Sequence, residues 1–257
     1  MDGEQRPQVI SRVSALLRAV AGFEPHGSST TDLARATGLA RPTAHRLLTS
    51  LAEEGLVDRD PRSGRWSLGP ELYLLGSLAA ERYDITDLAG EILRGLARET
   101  GETAHLSARR GDGTVCLASE EGSFPLRSHV LHVGRRLPLG VASAGLVILS
   151  HLPDHDIDEY LSRTDLTDGW GQPHSRAALE ERIAATRLTG YSTNPALLVE
   201  GSWGMGAAVF DHRDSPAWAL SVTGVESRFR EDRRPELGEL LLREAHRLTQ
   251  LLRGHQR

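Results

Sequence analysis

Two glycines constrain this chain more than any other feature. Gly38 and Gly55 each end an apolar-periodic run and so cut the stretch from Thr30 to Leu68 into helix, helix and hairpin. The first helix is capped at Thr30 or Thr31, carries Asp32 in its first turn and stops at Gly38. The second begins near Arg41, with Pro42 in a first turn where a missing N–H costs nothing, and runs to Glu54. Leu56 to Asp60 and Arg65 to Leu68 then read as two short strands around the Pro61-Arg62-Ser63-Gly64 turn. An earlier helix, Val9 to Val20, places Ile10, Val13, Leu16, Leu17 and Val20 on one face. The order helix, helix, helix, hairpin is that of a winged helix-turn-helix.

Within the helix at 41–54, Ala44, Leu47, Leu48 and Leu51 form the stripe that locks to the bundle. Thr43, His45, Arg46, Thr49 and Ser50 remain on the other faces. A recognition helix needs this division, because short polar groups and Arg read base edges in the major groove. Arg46 suits a bidentate contact to guanine. Arg41, at the helix start, reaches a base edge or a phosphate. Arg62 and Arg65 flank the hairpin tip and reach the minor groove or the DNA backbone. Thr30, Arg41, Thr43, His45, Arg46, Thr49, Arg62 and Arg65 are therefore the expected DNA contacts, and double-stranded operator DNA the expected partner. A small structural or protein-binding module is the competing reading of the same helices.

Charge permits this without demanding it. Net charge is −5 over 257 residues, all thirty basic residues being Arg. Residues 1–80 balance nine Arg against nine carboxylates, so the whole excess of negative charge falls in the remainder. A length of 257 residues suits two domains. The expected division is a tail over 1–8, the winged helix over 9–69, a connector helix over 70–84 and a second domain over 85–257. That second domain mixes helices near 86–100, 143–151, 154–162, 175–189 and 235–253 with strands near 103–109, 114–119, 126–133, 206–211 and 217–223. The Gly111-Asp112-Gly113 triplet reads as a hairpin turn. A single cysteine, Cys116, excludes a disulfide within the chain and fits a reducing cytoplasm. No signal-type segment and no run of eighteen apolar residues occurs, so no membrane role is expected.

The block "LARATGLARPTAHRLLTSLAEEGLVDRDPRSGRWSLGPELYLLG" resembles the N-terminal region of IclR-type transcriptional regulators. The resemblance continues through "VGRRLPLGVASAGLVILSHLP", "GYSTN", "GMGAAVFD" and "ALSVTGVESRF", in the family's order along nearly the whole chain. It implies an α+β protein: a winged helix-turn-helix joined by a connector helix to a GAF-like α/β effector-binding domain. It also implies a homodimer or dimer of dimers, control of metabolic operons, and an organic acid or aromatic compound as effector.

Carried over position by position, the segment after the "LPL" strand places the backbone N–H groups of Ser143 and Ala144 against an effector carboxylate. Ser221 and Thr223, two apart on one strand, face the same pocket. Asn194, Trp203 and Gly204 complete the expected effector-binding set. Gly140 stands where the family commonly has histidine, and Asn194-Pro195 where an acidic residue is frequent. Gly204 and Gly206 replace larger or polar side chains, beside an unusual Trp203. These departures predict a pocket that is more open, more apolar, or partly filled by Trp203. A DNA-binding or scaffold protein with a non-functional pocket is the alternative.

Other signals point elsewhere. His151 and His155 have metal-like spacing, but Pro153 interrupts them and Asp154 and Asp156 read as helix-start residues. His105, on a strand beside Thr103, reads as a satisfied core histidine or as one that lines the pocket, Cys116 reads as a small core residue, and Arg228, Arg230, Arg233 and Arg234 as a solvated face or an oligomer contact. No nucleophile elbow, P-loop or dinucleotide fingerprint is present, so neither an enzyme nor a cofactor is expected.

Overall fold

In a computed structural model, residues 8–80 and 85–255 are described, and the chain divides into two compact units, Met1–Tyr83 and Asp84–Arg257. The tail over 1–7 and the junction at 81–84 lie outside the described residues.

The first unit is built from α1 (Gln8–Ala21), α2 (Thr30–Thr37), α3 (Arg41–Glu53), β1 (Val57–Arg59), β2 (Trp66–Leu68) and α4 (Pro70–Ala80). The cap of α2 is Ser29, one residue before the expected threonines. Its hydroxyl oxygen accepts from the Asp32 amide at 3.2 Å and its O–H donates to the Asp32 carboxylate at 2.7 Å. Gly38 ends α2 at φ 67°, a left-handed conformation cheap only for glycine, and turns the chain so that Leu39 N–H reaches the Ala34 carbonyl. Leu16, Val20, Leu33, Ala44, Leu48, Leu51, Val57 and Trp66 fill the core. Ile10, expected on the buried face of α1, is 63% exposed, because α2 and α3 cover only the C-terminal half of that helix. β1 and β2 pair antiparallel, Val57 opposite Leu68, and Asp60 closes the turn by accepting from the Arg62 and Ser63 amides. Those bonds hold the Asp60 carboxyl below its usual range.

The second unit comprises α5 (Ile85–Thr100), β3 (Thr103–Arg110), β4 (Gly113–Glu120), β5 (Arg136–Pro138), α6 (Ser143–Ser150), α7 (Asp154–Arg163), α8 (Thr167–Trp170), α9 (Arg176–Thr189), β6 (Tyr191–Pro195), β7 (Ser202–Phe210), β8 (Pro216–Val225) and α10 (Arg234–His255). Its six strands form an antiparallel sheet in the order β5-β4-β3-β8-β7-β6. Alternation sorts the strand residues onto two faces. Ala104, Leu106, Met205, Ala207, Leu220 and Val222 meet α5 and α10, while Ala208 and Ala219 meet the layer of α6, α7 and α9.

Two strand assignments change. The expected strand at 126–133 is irregular, and the strand β5 lies at 136–138. The free edge of β4 is occupied there by Arg135 and Gly134, whose backbone bonds Cys116 outside any ladder, so the preceding residues have no strand to pair with. Conversely, β6 escaped the periodicity because Tyr191-Ser-Thr-Asn-Pro has too few apolar residues to alternate visibly.

Candidate DNA-binding face and effector site

On α3, Arg41, His45, Arg46 and Thr49 are exposed along one side, at helical spacing, opposite the buried Ala44, Leu48 and Leu51. Thr43 is half-buried. The Arg41 and Arg46 side chains have no partner among the described residues, so their donors are free for an external acceptor. Thr49 is partly committed, since its hydroxyl donates to the His45 carbonyl at 3.0 Å. At the wing, Arg62 is exposed with an unengaged side chain, whereas Arg65 donates from Nη1 to the Gly27 carbonyl at 2.9 Å and so straps the loop before α2 to the hairpin.

Thr30 departs from expectation. It is buried, and its hydroxyl oxygen accepts the indole N–H of Trp66 at 2.9 Å. Its side chain therefore locks the wing to α2 and does not lie on the exposed face. Trp66, 1% exposed, also bridges Ser28 through the backbone, lies edge-on to His45 and carries the Arg59 guanidinium over its ring at 5.4 Å.

The expected effector residues converge in part. Register places His105, Ser221, Gly206 and Ser192 in one row across the sheet, and Thr103, Thr223, Gly204 and Asn194 in the next. The start of α6 lies over both rows. Asn194 donates to the Val141 carbonyl at 2.7 Å, and Ser192 to that of Ser143 at 2.7 Å. No side chain caps α6, so the N–H groups of Ser143 and Ala144 have no intrahelical acceptor. Below them the Ser221 hydroxyl, fully buried, has no hydrogen-bond partner. His105, read from sequence as either a core histidine or a pocket-lining one, joins this row: Nε2 lies 2.9 Å from the Thr223 hydroxyl. Burial pushes its pKa down to about 4, so the ring is neutral at physiological pH. Cys116 lies behind it, its thiol pushed up to about 12 by burial.

Two expectations about this pocket fail. Trp203 does not enter it. Next to Gly204 on β7, it points to the opposite face, where it stacks on Phe229 with ring centroids 6.2 Å apart and lies 4.4 Å beneath the Arg234 guanidinium. Nor do the glycines open the pocket. A Cβ at Gly204 would sit 3.1 Å from Ser143 Oγ, and one at Gly206 3.3 Å from the Ser143 carbonyl carbon. The missing side chains let the start of α6 settle directly onto β7.

The arginines at 228–234 are not a solvated face. Arg228 and Arg233 donate to the Glu102 carboxylate, 1% exposed, at 2.7 and 3.0 Å, and both reach the Thr100 carbonyl. Arg234 is bound to the Phe229 carbonyl, leaving only Arg230 largely exposed. His151 Nδ1 is bonded to the Val147 carbonyl. Among the described residues no group of three or more His, Cys, Asp or Glu is placed to hold a metal, and no helix is long and apolar enough to cross a membrane.

Comparison with known proteins agrees with this architecture. Residues 9–61 match the model of the IclR helix-turn-helix domain, and residues 77–250 that of the bacterial transcriptional regulator IclR C-terminal region. The chain is 34% identical over 209 residues to the HTH-type transcriptional regulator KipR of Bacillus subtilis, covering 81% of this chain and 83% of that protein. It is 33% identical over 234 residues to the glycerol operon regulatory protein of Streptomyces coelicolor, covering 90% of each. A transcriptional regulator from Rhodococcus sp. RHA1 superposes with a TM-score of 0.73 at 27% identity, over 97% of this chain and 99% of that one. A homologue from Microbacterium hydrocarbonoxydans, solved with 4-hydroxybenzoate, shares the fold with a TM-score of 0.75 at 22% identity, over 96% and 99%. The chain thus belongs to the IclR family of bacterial DNA-binding transcriptional regulators.

Proposed function

We propose that this protein acts in the cytoplasm as a homodimer, or a dimer of dimers, on a two-fold operator, with no catalytic step. In this reading the winged helix spans 9–69, the connector 70–84 and the effector domain 85–257. Arg41, His45 and Arg46 on α3 read base edges, Thr43 and Thr49 support them, and Arg62 and Arg65 hold the backbone beside the wing. The exposed face of α3, with two unpartnered arginines opposite a buried apolar stripe, carries the reading. Dimerisation is supported by α4, where Tyr73, Leu74, Leu75 and Leu78 are at least half exposed, an apolar surface that a second copy would cover.

The effector is a small organic acid or a carboxylated aromatic. Its carboxylate is received by the Ser143 and Ala144 N–H groups, with Ser221, Thr223 and Asn194 lining the site and Gly204 forming its floor. The unpartnered Ser221 hydroxyl supports this, because a buried polar group without a partner is costly and a ligand restores its bond. Effector binding shifts the packing of α6 on the sheet, and the connector transmits that shift to the spacing of two winged helices.

The test is a gel shift of the full-length protein on DNA from upstream of its own gene, with unrelated competitor DNA, at two salt concentrations. A band that survives competitor, weakens with salt and is lost in Arg46→Ala is the expected result. Absence of a specific band, even after selection from a random DNA pool, refutes it. Thermal-shift screening against organic and aromatic acids tests the effector half, with Ser221→Ala abolishing the shift given by the effector while leaving any shift from an anion bound elsewhere.

A further inference from the structure

Where α9, the edge strand β6 and the start of α10 meet, the structure forms a half-open pocket of about 150 Å³. Its polar lining is Arg182, Thr186 and Thr189 of α9, Tyr191 and Thr193 of β6, and Arg234 of α10. It is separate from the effector site. Ser192 and Asn194 turn toward the start of α6, so their neighbours Tyr191 and Thr193 turn away from it.

The chemistry of this cavity is one-sided, with two guanidiniums, four hydroxyls and no carboxylate. Arg182 donates from Nη2 to the Gly140 carbonyl at 2.9 Å, while its Nε and Nη1 are shielded from solvent and meet no acceptor. Among the described residues no carboxylate pairs with it. Burial alone pulls its pKa down to about 10, which still leaves it charged at neutral pH. Arg234 is turned to the Phe229 carbonyl and the Trp203 ring, with Glu231 no nearer than 4.0 Å. The hydroxyls of Thr186, Tyr191 and Thr193 have no partner among the described residues. A shielded charge without a counter-charge is costly, and in a low-dielectric wall its field reaches an anion that does not touch it.

We propose that this cavity is a second ligand site, which takes a small anion bearing terminal oxygens, either an inorganic oxyanion or a short carboxylate. The Thr186, Tyr191 and Thr193 hydroxyls donate to its oxygens, and Arg182 and Arg234 supply the compensating charge. A volume near 150 Å³ admits phosphate or acetate. Arg182 also holds Gly140, which leads into α6, so an occupant here borders the same helix as the effector site. The proposal stands independently of what that effector is.

The experiment is thermal unfolding and isothermal titration of the full-length protein with sodium phosphate and with sodium acetate, each against sodium chloride at matched ionic strength. At least one anion is expected to stabilise the protein beyond chloride, with affinity reduced tenfold or more in Arg182→Gln and in Thr193→Val and unchanged in Ser221→Ala. Arg182→Gln removes the charge but is too short to keep the bond to the Gly140 carbonyl. Should it fail to fold, the isosteric Thr193→Val decides. If neither anion exceeds chloride, the site does not exist. Binding that persists in Thr193→Val or Arg182→Gln, or that Ser221→Ala removes, places the anion elsewhere and equally overturns the proposal.

Discussion

Thr30→Val separates a structural role for Thr30 from a DNA contact. The substitution preserves side-chain shape but deletes the oxygen that accepts the Trp66 indole N–H at 2.9 Å. Trp66 is 1% exposed, so no water replaces that acceptor, and the donor is left unpaired in the core. An orphaned buried donor costs about 1–3 kcal/mol, with no cavity cost added because valine fills the same volume. For a unit of this size each kcal/mol lowers the midpoint by roughly 4–8 °C, so a fall of about 8–16 °C follows from the middle of the range. Thr30→Ser, which keeps the oxygen, should lose less than about 1 kcal/mol. Hydrogen exchange followed by mass spectrometry on α1, α2 and α3 reads the local opening free energy, and fluorescence anisotropy reads operator affinity. Loss of protection with near-normal affinity of the folded fraction is expected. Full protection with a tenfold loss of affinity would refute the argument and restore Thr30 to the DNA-contacting face.

Three further predictions follow from the same geometry. Arg46→Ala should cost about 1–3 kcal/mol on the cognate operator and relax preference at one base pair, whereas Arg62→Ala should weaken all sequences alike and reduce the salt slope by about one; binding series over salt and sequence distinguish them. Because His105 is held neutral by burial, with its pKa lowered from 6.5 to about 4, the unfolded chain binds the extra proton between those values. That contribution is fully present above about pH 6.5 and is lost as pH falls toward 4, up to about 3 kcal/mol; denaturation of His105→Leu across this window should show a flatter pH profile. Glu102→Ala should destabilise the second unit by about 3–5 kcal/mol, since it strands two guanidiniums around a buried site. Arg230→Ala should change stability by less than about 0.5 kcal/mol in the same denaturant titration.

Local rules recovered the first unit almost whole. Gly38 and Gly55 end their helices at φ 67° and 68°, and Pro42 occupies the first turn of α3. The apolar stripe of α3 is the buried one, and the wing turns where Asp60 and Gly64 direct it. Each depends on residues no more than four apart, so the information is present in the linear order. The slip from Thr30 to Ser29 as the cap is one residue among three adjacent hydroxyls, any of which suits the position chemically.

The candidate effector residues were legible as a set of segments but not as a surface. Ser143, Asn194, Gly204, Ser221 and Thr223 lie on four separate elements, and only the antiparallel register aligns them in rows beneath α6. Strand alternation alone excludes Trp203 once Gly204 is assigned to the site, because neighbours on a strand face opposite ways. The glycines of β7 are ambiguous in sequence, marking either open space or close approach, and the position of α6 decides for approach. Arg228 and Arg233 look solvated in a charge-rich run, yet they close on Glu102 from more than a hundred residues away. Helices, turns and the exposed face of α3 are thus fixed by short-range capping and periodicity, which the sequence by itself determines. Burial of a charge, the side of a sheet a residue faces and the cavity beside Arg182 arise from contacts distant along the chain, and only the tertiary structure decides them.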